Sequence, residues 1–83
     1  MRLDLHGFTV HDAWKKFSVW IQDAQTNEKV KSVTIVTGQG EIHNELPKWC
    51  DNMSFIRQIQ PHFHNGAYQI YFYKNRRESI DKN

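Results

Sequence analysis

The sequence has 83 residues, 39% hydrophobic, 24% charged and 13% aromatic, which is enough for one small domain and too few for two. A formal net charge of +2 does not by itself mark a strongly basic nucleic-acid binder, and no stretch approaches the ~20 apolar residues of a membrane helix. One cysteine, Cys50, excludes an internal disulfide framework and a multi-cysteine zinc site; with no apolar leader after Met1, the chain is expected to be soluble and cytoplasmic.

No internal repeat, low-complexity tract or linker interrupts the sequence, so residues 1–74 read as a single domain and 75–83 as a polar tail. Residues 2–6 alternate, with Leu3 and Leu5 on one side and Arg2, Asp4 and His6 on the other, the period of a half-buried strand. Gly7 then permits a sharp turn. Thr9 followed by Asp12 is a capping pattern, and Ala13, Phe17, Trp20, Ile21 and Ala24 recur at helical spacing, which predicts a first helix from about Val10 to Gln25.

Residues 32–37 are β-branched (Val33, Thr34, Ile35, Val36) and end at Gly38-Gln39-Gly40, the pattern of a short strand closed by a turn. A strand–helix–strand unit implies a parallel right-handed crossover. Ile42, Leu46, Trp49 and Cys50 keep helical spacing, but Pro47 cannot donate an amide inside a helix. Taking Asn44 as N-cap puts Pro47 in the first turn of a short helix that ends near Asp51. Residues 55–60 are expected to form a third strand, 61–66 a turn, and 67–74 an aromatic strand carrying Tyr68, Tyr71 and Tyr73. The order βαβαββ predicts an α/β two-layer sandwich: a mixed four-stranded sheet with both helices on one face.

Two segments carry the candidate chemistry, Leu3-Asp4-Leu5-His6-Gly7 and Thr37-Gly38-Gln39-Gly40, each at the end of a strand. If those strands pair in parallel, both turns open onto the crevice outside their carboxyl ends, where ligands gather in open α/β sheets. Glycines there allow close backbone approach, and amides entering a helix hold phosphate. Imidazole both takes and gives a proton near neutrality, which makes His6 a candidate general acid/base. Asp4, two residues earlier, is placed to orient it or to share a divalent ion; a plain strand-end histidine beside a capping aspartate is the competing reading. His43, just past the glycines, is placed to reach a bound phosphate. His62 and His64 have a spacing that seldom holds a metal, and the tyrosines of the last strand serve either as core or as a base-stacking platform.

The succession L-D-L-H-G, Thr9 with a helix-forming run, V-T-I-V-T-G-Q-G, P-x-W and a closing strand introduced by Asn65-Gly66-Ala67 resembles the Smr (small MutS-related) domain family, from Leu3 to about Tyr73. The resemblance implies a sandwich like the C-terminal domain of a bacterial translation initiation factor. It also implies a nucleic-acid endonuclease or nicking activity, in a family associated with DNA processing and with cleavage of messenger RNA on stalled ribosomes. Carried over, the L-D-L-H motif makes Asp4 and His6 the expected catalytic pair, and T-G-x-G makes Thr37, Gly38, Gln39 and Gly40 the expected phosphate contact. Gly7, His43, Lys48, Lys74 and Arg76 complete the expected nucleic-acid-binding set. Members with arginine in place of the motif histidine resemble binders more than nucleases, and this chain keeps the histidine. After Gly40 it departs from the family, with a shorter segment and with His43 or Asn44 where a basic residue is expected.

On an RNA substrate His6 would activate the ribose 2′-hydroxyl without a metal, whereas DNA would call for an activated water with Mg²⁺ or Mn²⁺. The expected partner is RNA or DNA, with ribosome association possible for the family, no membrane, and a monomeric state. The alternative is a non-catalytic nucleic-acid- or ribosome-binding module; a domain that docks a protein on its aromatic strand is a third reading.

Overall fold

Alternation decides which side of each strand is buried, and it sorts the sequence into two layers. In the computed structural model, which describes residues 1–62, 64 and 66–74, the order is β1 (Arg2–Asp4), α1 (Val10–Gln25), β2 (Ser32–Val36), α2 (Glu41–Asp51), β3 (Ile56–His62) and β4 (Ala67–Phe72). The sheet order is β1-β2-β4-β3, with β1 parallel to β2 and the other two pairings antiparallel. Leu3, Val33, Ile35, Tyr68, Ile70 and Phe72 share one face and form a single core with Ala13, Phe17, Ile21 and Ala24 of α1 and Ile42, Leu46 and Cys50 of α2. Complete burial of side chains such as Phe17, Ile21, Ile35 and Leu46 stabilises the fold by about 1.5–3 kcal/mol each. Trp49 joins the helices, with its ring 5.4 Å from Trp14 and 5.7 Å from Phe17.

The other sheet face is polar. There the Thr34 hydroxyl donates to Gln69 Oε1 at 2.6 Å and Gln69 Nε2 donates to Ser32 Oγ at 3.0 Å, so half-buried polar groups satisfy one another across β2 and β4. Tyr71 lies on this face with the Arg57 guanidinium 5.6 Å from its ring centre, whereas Tyr68 is buried on the helix side. The aromatic strand is therefore divided between core and surface.

The start of α2 differs from the sequence expectation. The helix begins at Glu41 with Gly40 as N-cap, not at Asn44, and Pro47 lies inside it. An internal proline leaves the carbonyl four residues earlier without its amide donor and crowds it. That carbonyl belongs to His43, and the Tyr68 hydroxyl donates to it at 3.1 Å. A tertiary contact from β4 thus replaces the lost helix bond. The third strand also runs further than expected, to His62, with Pro61 inside it; β3 is an edge strand, where a missing amide leaves no ladder bond unmade.

Cys50, buried between α2 and the sheet, has its thiol pushed up from an ordinary value of 9.0 to about 12, first by desolvation and then by the nearby Asp51 carboxylate. The folded protein therefore holds the proton while the unfolded chain releases it above pH 9, so stability falls as pH rises from 9 towards 12 and is unaffected below. Urea unfolding at pH 8 and pH 10 should show a loss of stability that shrinks in Cys50→Ala. An equal loss in both proteins would contradict this assignment.

Candidate functional site

Because β1 and β2 are parallel and each is followed by a helix, the two strand-to-helix connections emerge side by side at the carboxyl end of the sheet. Between them lies an open cleft of about 380 Å³ lined by His6, Gly7, Phe8, Thr9 and Val10 from the first connection and by residues 37–42 from the second. The two motif segments, far apart in sequence, are brought together here.

The first connection is a tight turn. Leu5 donates its amide to the Val36 carbonyl at 2.7 Å, continuing the β1–β2 pairing, and Phe8 donates back to the Leu5 carbonyl at 3.1 Å. Gly7 has φ +87°, the left-handed value that the third residue of a type II turn requires. The turn thus buries Leu5 completely and lifts His6 into solvent at its second position. Asp4 Oδ1 accepts the His6 amide at 2.9 Å, so the carboxylate fixes the backbone from which the imidazole projects. A Cβ added at Gly7 meets no atom within 4 Å, so Gly7→Ala should lose only about 1–2 kcal/mol, from the left-handed backbone. Urea denaturation measures it, and an unchanged midpoint would contradict the turn assignment.

The second connection is braced from behind. The amides of Thr37 and Gly38 both donate to the Gly66 carbonyl, at 2.9 and 3.0 Å, and Gln39 Nε2 donates to the His64 carbonyl at 2.8 Å. These groups are engaged within the protein, which leaves the amides further on, towards the start of α2, for a ligand. Gly38 has φ +73°, and a Cβ there would lie 3.4 Å from His6 Cδ2, which places the imidazole directly against this turn. Thr37 is buried, and its hydroxyl lies 2.7 Å from the Gly38 carbonyl and 3.1 Å from His43 Nδ1. The His43 ring stacks on Tyr68 at 4.4 Å, so His43 supports the turn from the core side.

The two helix N-termini differ in their capping. Thr9 Oγ1 accepts the Asp12 amide at 3.1 Å at the start of α1, whereas no side chain among the described residues caps α2 behind Gly40. The amides of its first turn are therefore open to an anion, with the helix dipole behind them. Glu41 also lines the cleft, and among the described residues the lining includes no lysine or arginine. What the described lining presents to a phosphate is therefore backbone dipoles rather than side-chain cations.

The family model of the Smr domain matches residues 3–71. The chain belongs to the Smr domain family. Smr domains are a family with nuclease and nucleic-acid-binding activity. The crystal structure of the Smr domain of Thermus thermophilus MutS2 superposes with a TM-score of 0.77 over 87% of this chain and 96% of that one, at 13% sequence identity, a likeness of fold. No curated protein matches in sequence with significance.

In this Smr domain the cleft gathers His6, Gly7, Thr37, Gly38, Gln39 and Gly40, with Asp4 just behind His6 and His43 behind Thr37. Two other expected contacts lie elsewhere. Lys48 is exposed on α2, roughly 10 Å along the helix from Glu41, and pairs with Glu45 at 3.1 Å. Lys74 lies beyond the end of β4 that pairs with Ser32, at the opposite end of β2 from the cleft. Arg76 and the tail lie outside the described residues. Among the described residues no group of three or more His, Cys, Asp or Glu side chains could hold a metal ion, His62 and His64 included. Phe8 lines the cleft yet belongs to neither the strand alternation nor the apolar stripe of α1, so no periodicity marks it.

Proposed function

We propose that this Smr domain is a nucleic-acid endonuclease in which His6 is the general acid/base, assisted by Asp4. The observation that carries the reading is the position of His6: an exposed imidazole held against Gly38 on one wall of a cleft whose other wall is the uncapped start of α2. A phosphodiester seated on the amides of that helix start has its phosphorus beside the imidazole, and the same amides stabilise the charge that builds on the phosphoryl oxygens during displacement. On RNA, His6 removes the proton of the 2′-hydroxyl, the oxygen attacks the adjacent phosphorus, and the P–O5′ bond breaks. The products are a cyclic phosphate and a 5′-hydroxyl, whose proton comes from the imidazolium or from water. On DNA the nucleophile is water, activated with Mg²⁺ or Mn²⁺. Asp4 is a positioning residue, holding the turn through the His6 amide.

The test is cleavage of end-labelled single- and double-stranded RNA and DNA with EDTA or with added Mg²⁺ or Mn²⁺. Cutting of RNA that survives EDTA and leaves a cyclic phosphate identifies the 2′-hydroxyl route; a strict metal requirement identifies the water route. A non-catalytic binding module is the second reading, because the uncapped start of α2 would hold phosphate whether or not His6 moves a proton. Binding of all four substrates with no product under any condition selects it.

A further inference from the structure

Apolar rings at a protein surface are ordinarily drawn towards the core, and the ring of Phe8 is not. It is 39% exposed and is absent from the partly buried side chains that pack on the core, such as Val10, Trp20 and Trp49. Among the described residues, the exposed large hydrophobics also include Met1, Trp14, Val19 and Tyr73, and of these Phe8 is the one that lines the His6 cleft. Its place is set by the backbone: it closes the type II turn whose second residue is His6, through its amide bond to the Leu5 carbonyl. Lys16, in the second turn of α1, holds its ammonium 5.5 Å from the ring centre. Phe8 lines the cleft and Lys16 does not, so the ammonium reaches the edge of the cleft through its place beside the ring.

We infer that Phe8 is a base-stacking subsite and Lys16 a phosphate contact beside it, so that the strand occupying the cleft is single-stranded at the nucleotide next to the one held by His6. An aromatic face accepts any base but needs it unpaired, because a base within a duplex has both faces covered by its neighbours. The ammonium over the ring attracts the phosphate flanking the stacked base and adds positive charge that the described cleft lining lacks. The inference rests on the reading of the cleft as a nucleic-acid site, and it adds a residue and a substrate form to that reading.

The test measures binding of the full chain carrying His6→Ala, so that nothing is cut, to single-stranded oligonucleotides, to the same strands with one abasic nucleotide moved along them, and to matched duplexes. Phe8→Ala should weaken binding to the intact single strand roughly five- to a hundredfold, the range set by removing one stacked base. Phe8→Trp or Phe8→Tyr should restore binding and Phe8→Leu should not. The abasic nucleotide at one position should erase the difference between the proteins with and without the Phe8 ring, since a true stacking pair is non-additive. Lys16→Ala should weaken intact and abasic strands alike and lower the salt dependence by about one phosphate contact. Unchanged circular dichroism and melting show that the exposed ring is not needed for folding.

Equal affinity with and without Phe8→Ala, or an equal loss on abasic strands at every position, overturns the inference. The endonuclease reading fails separately. If His6-intact protein cuts nothing while Phe8→Ala weakens binding as stated, the subsite stands and the cleavage reading falls; if it cuts while Phe8→Ala binds normally, the reverse holds. Failure to bind any oligonucleotide at low salt overturns both.

Discussion

Replacing His6 with alanine is expected to lower phosphodiester cleavage by roughly 10²–10⁴-fold, the usual contribution of a positioned general acid/base, while leaving oligonucleotide affinity nearly unchanged. The separation follows from where the side chain sits. The imidazole is exposed at the second position of a turn whose hydrogen bonds are made by the backbone and by Asp4, so its removal empties a position without unmaking any of those bonds. In the proposed reading phosphate is held by the amides at the start of α2, which the substitution leaves in place. In kinetic terms kcat should fall with little change in KM, the signature of an interaction made in the transition state. Gly38→Ala gives an independent check on the geometry, because its Cβ would touch His6 Cδ2 at 3.4 Å, an ordinary contact, while its backbone at φ +73° would be strained. A His6→Ala protein that cuts as fast as wild type would remove His6 from the mechanism; one that loses affinity in proportion to rate would make it a binding residue.

The elements closest to the site are legible in the sequence because local signals and tertiary packing agree there. The alternation through Leu3 and Leu5, the Thr9 cap, the β-branched run of β2 and the two glycine turns each have a local cause, and the parallel pairing of β1 with β2 joins them into one cleft. What is not legible depends on contacts distant in sequence. The turn 37–40 reads as a phosphate contact, but the amides of Thr37 and Gly38 are taken by the Gly66 carbonyl, which approaches because β4 pairs with β2. Lys74 is close to the aromatic strand in sequence and far from the cleft in space, because β4 runs antiparallel to β2 and ends at the wrong edge. His43 follows the glycines, as a phosphate contact would, yet its ring is drawn inwards by Tyr68 and Thr37. Phe8 carries no periodic signal at all, since its exposure comes from a turn and not from a helix or strand face.

The start of α2 departs from its local signal for a related reason, and it leads to the second large effect. Proline inside a helix ordinarily costs about 3 kcal/mol or more, which favours a helix beginning just before Pro47. The longer helix is stable because Tyr68 donates to the His43 carbonyl that Pro47 deprives of its amide. Tyr68→Phe keeps the ring, its packing and its stacking on His43, and removes that one donor. The carbonyl is then left without a partner in a half-buried position, which should cost about 1–3 kcal/mol, or a fall in Tm of roughly 4–20 °C for a domain of this size. Pro47→Ala supplies the missing amide from within the helix, so Tyr68→Phe should cost much less on that background. The difference between the two costs is the coupling energy of residues that share a carbonyl and never touch through a hydrogen bond of their own. Additive losses, or a Tyr68→Phe protein as stable as wild type, would show that α2 tolerates its proline for some other reason. The same bond also anchors the backbone of His43, which backs Thr37 and the turn against which His6 rests, so a marked drop in cleavage by a Tyr68→Phe protein that is still folded would connect the proline in α2 to the geometry of the cleft.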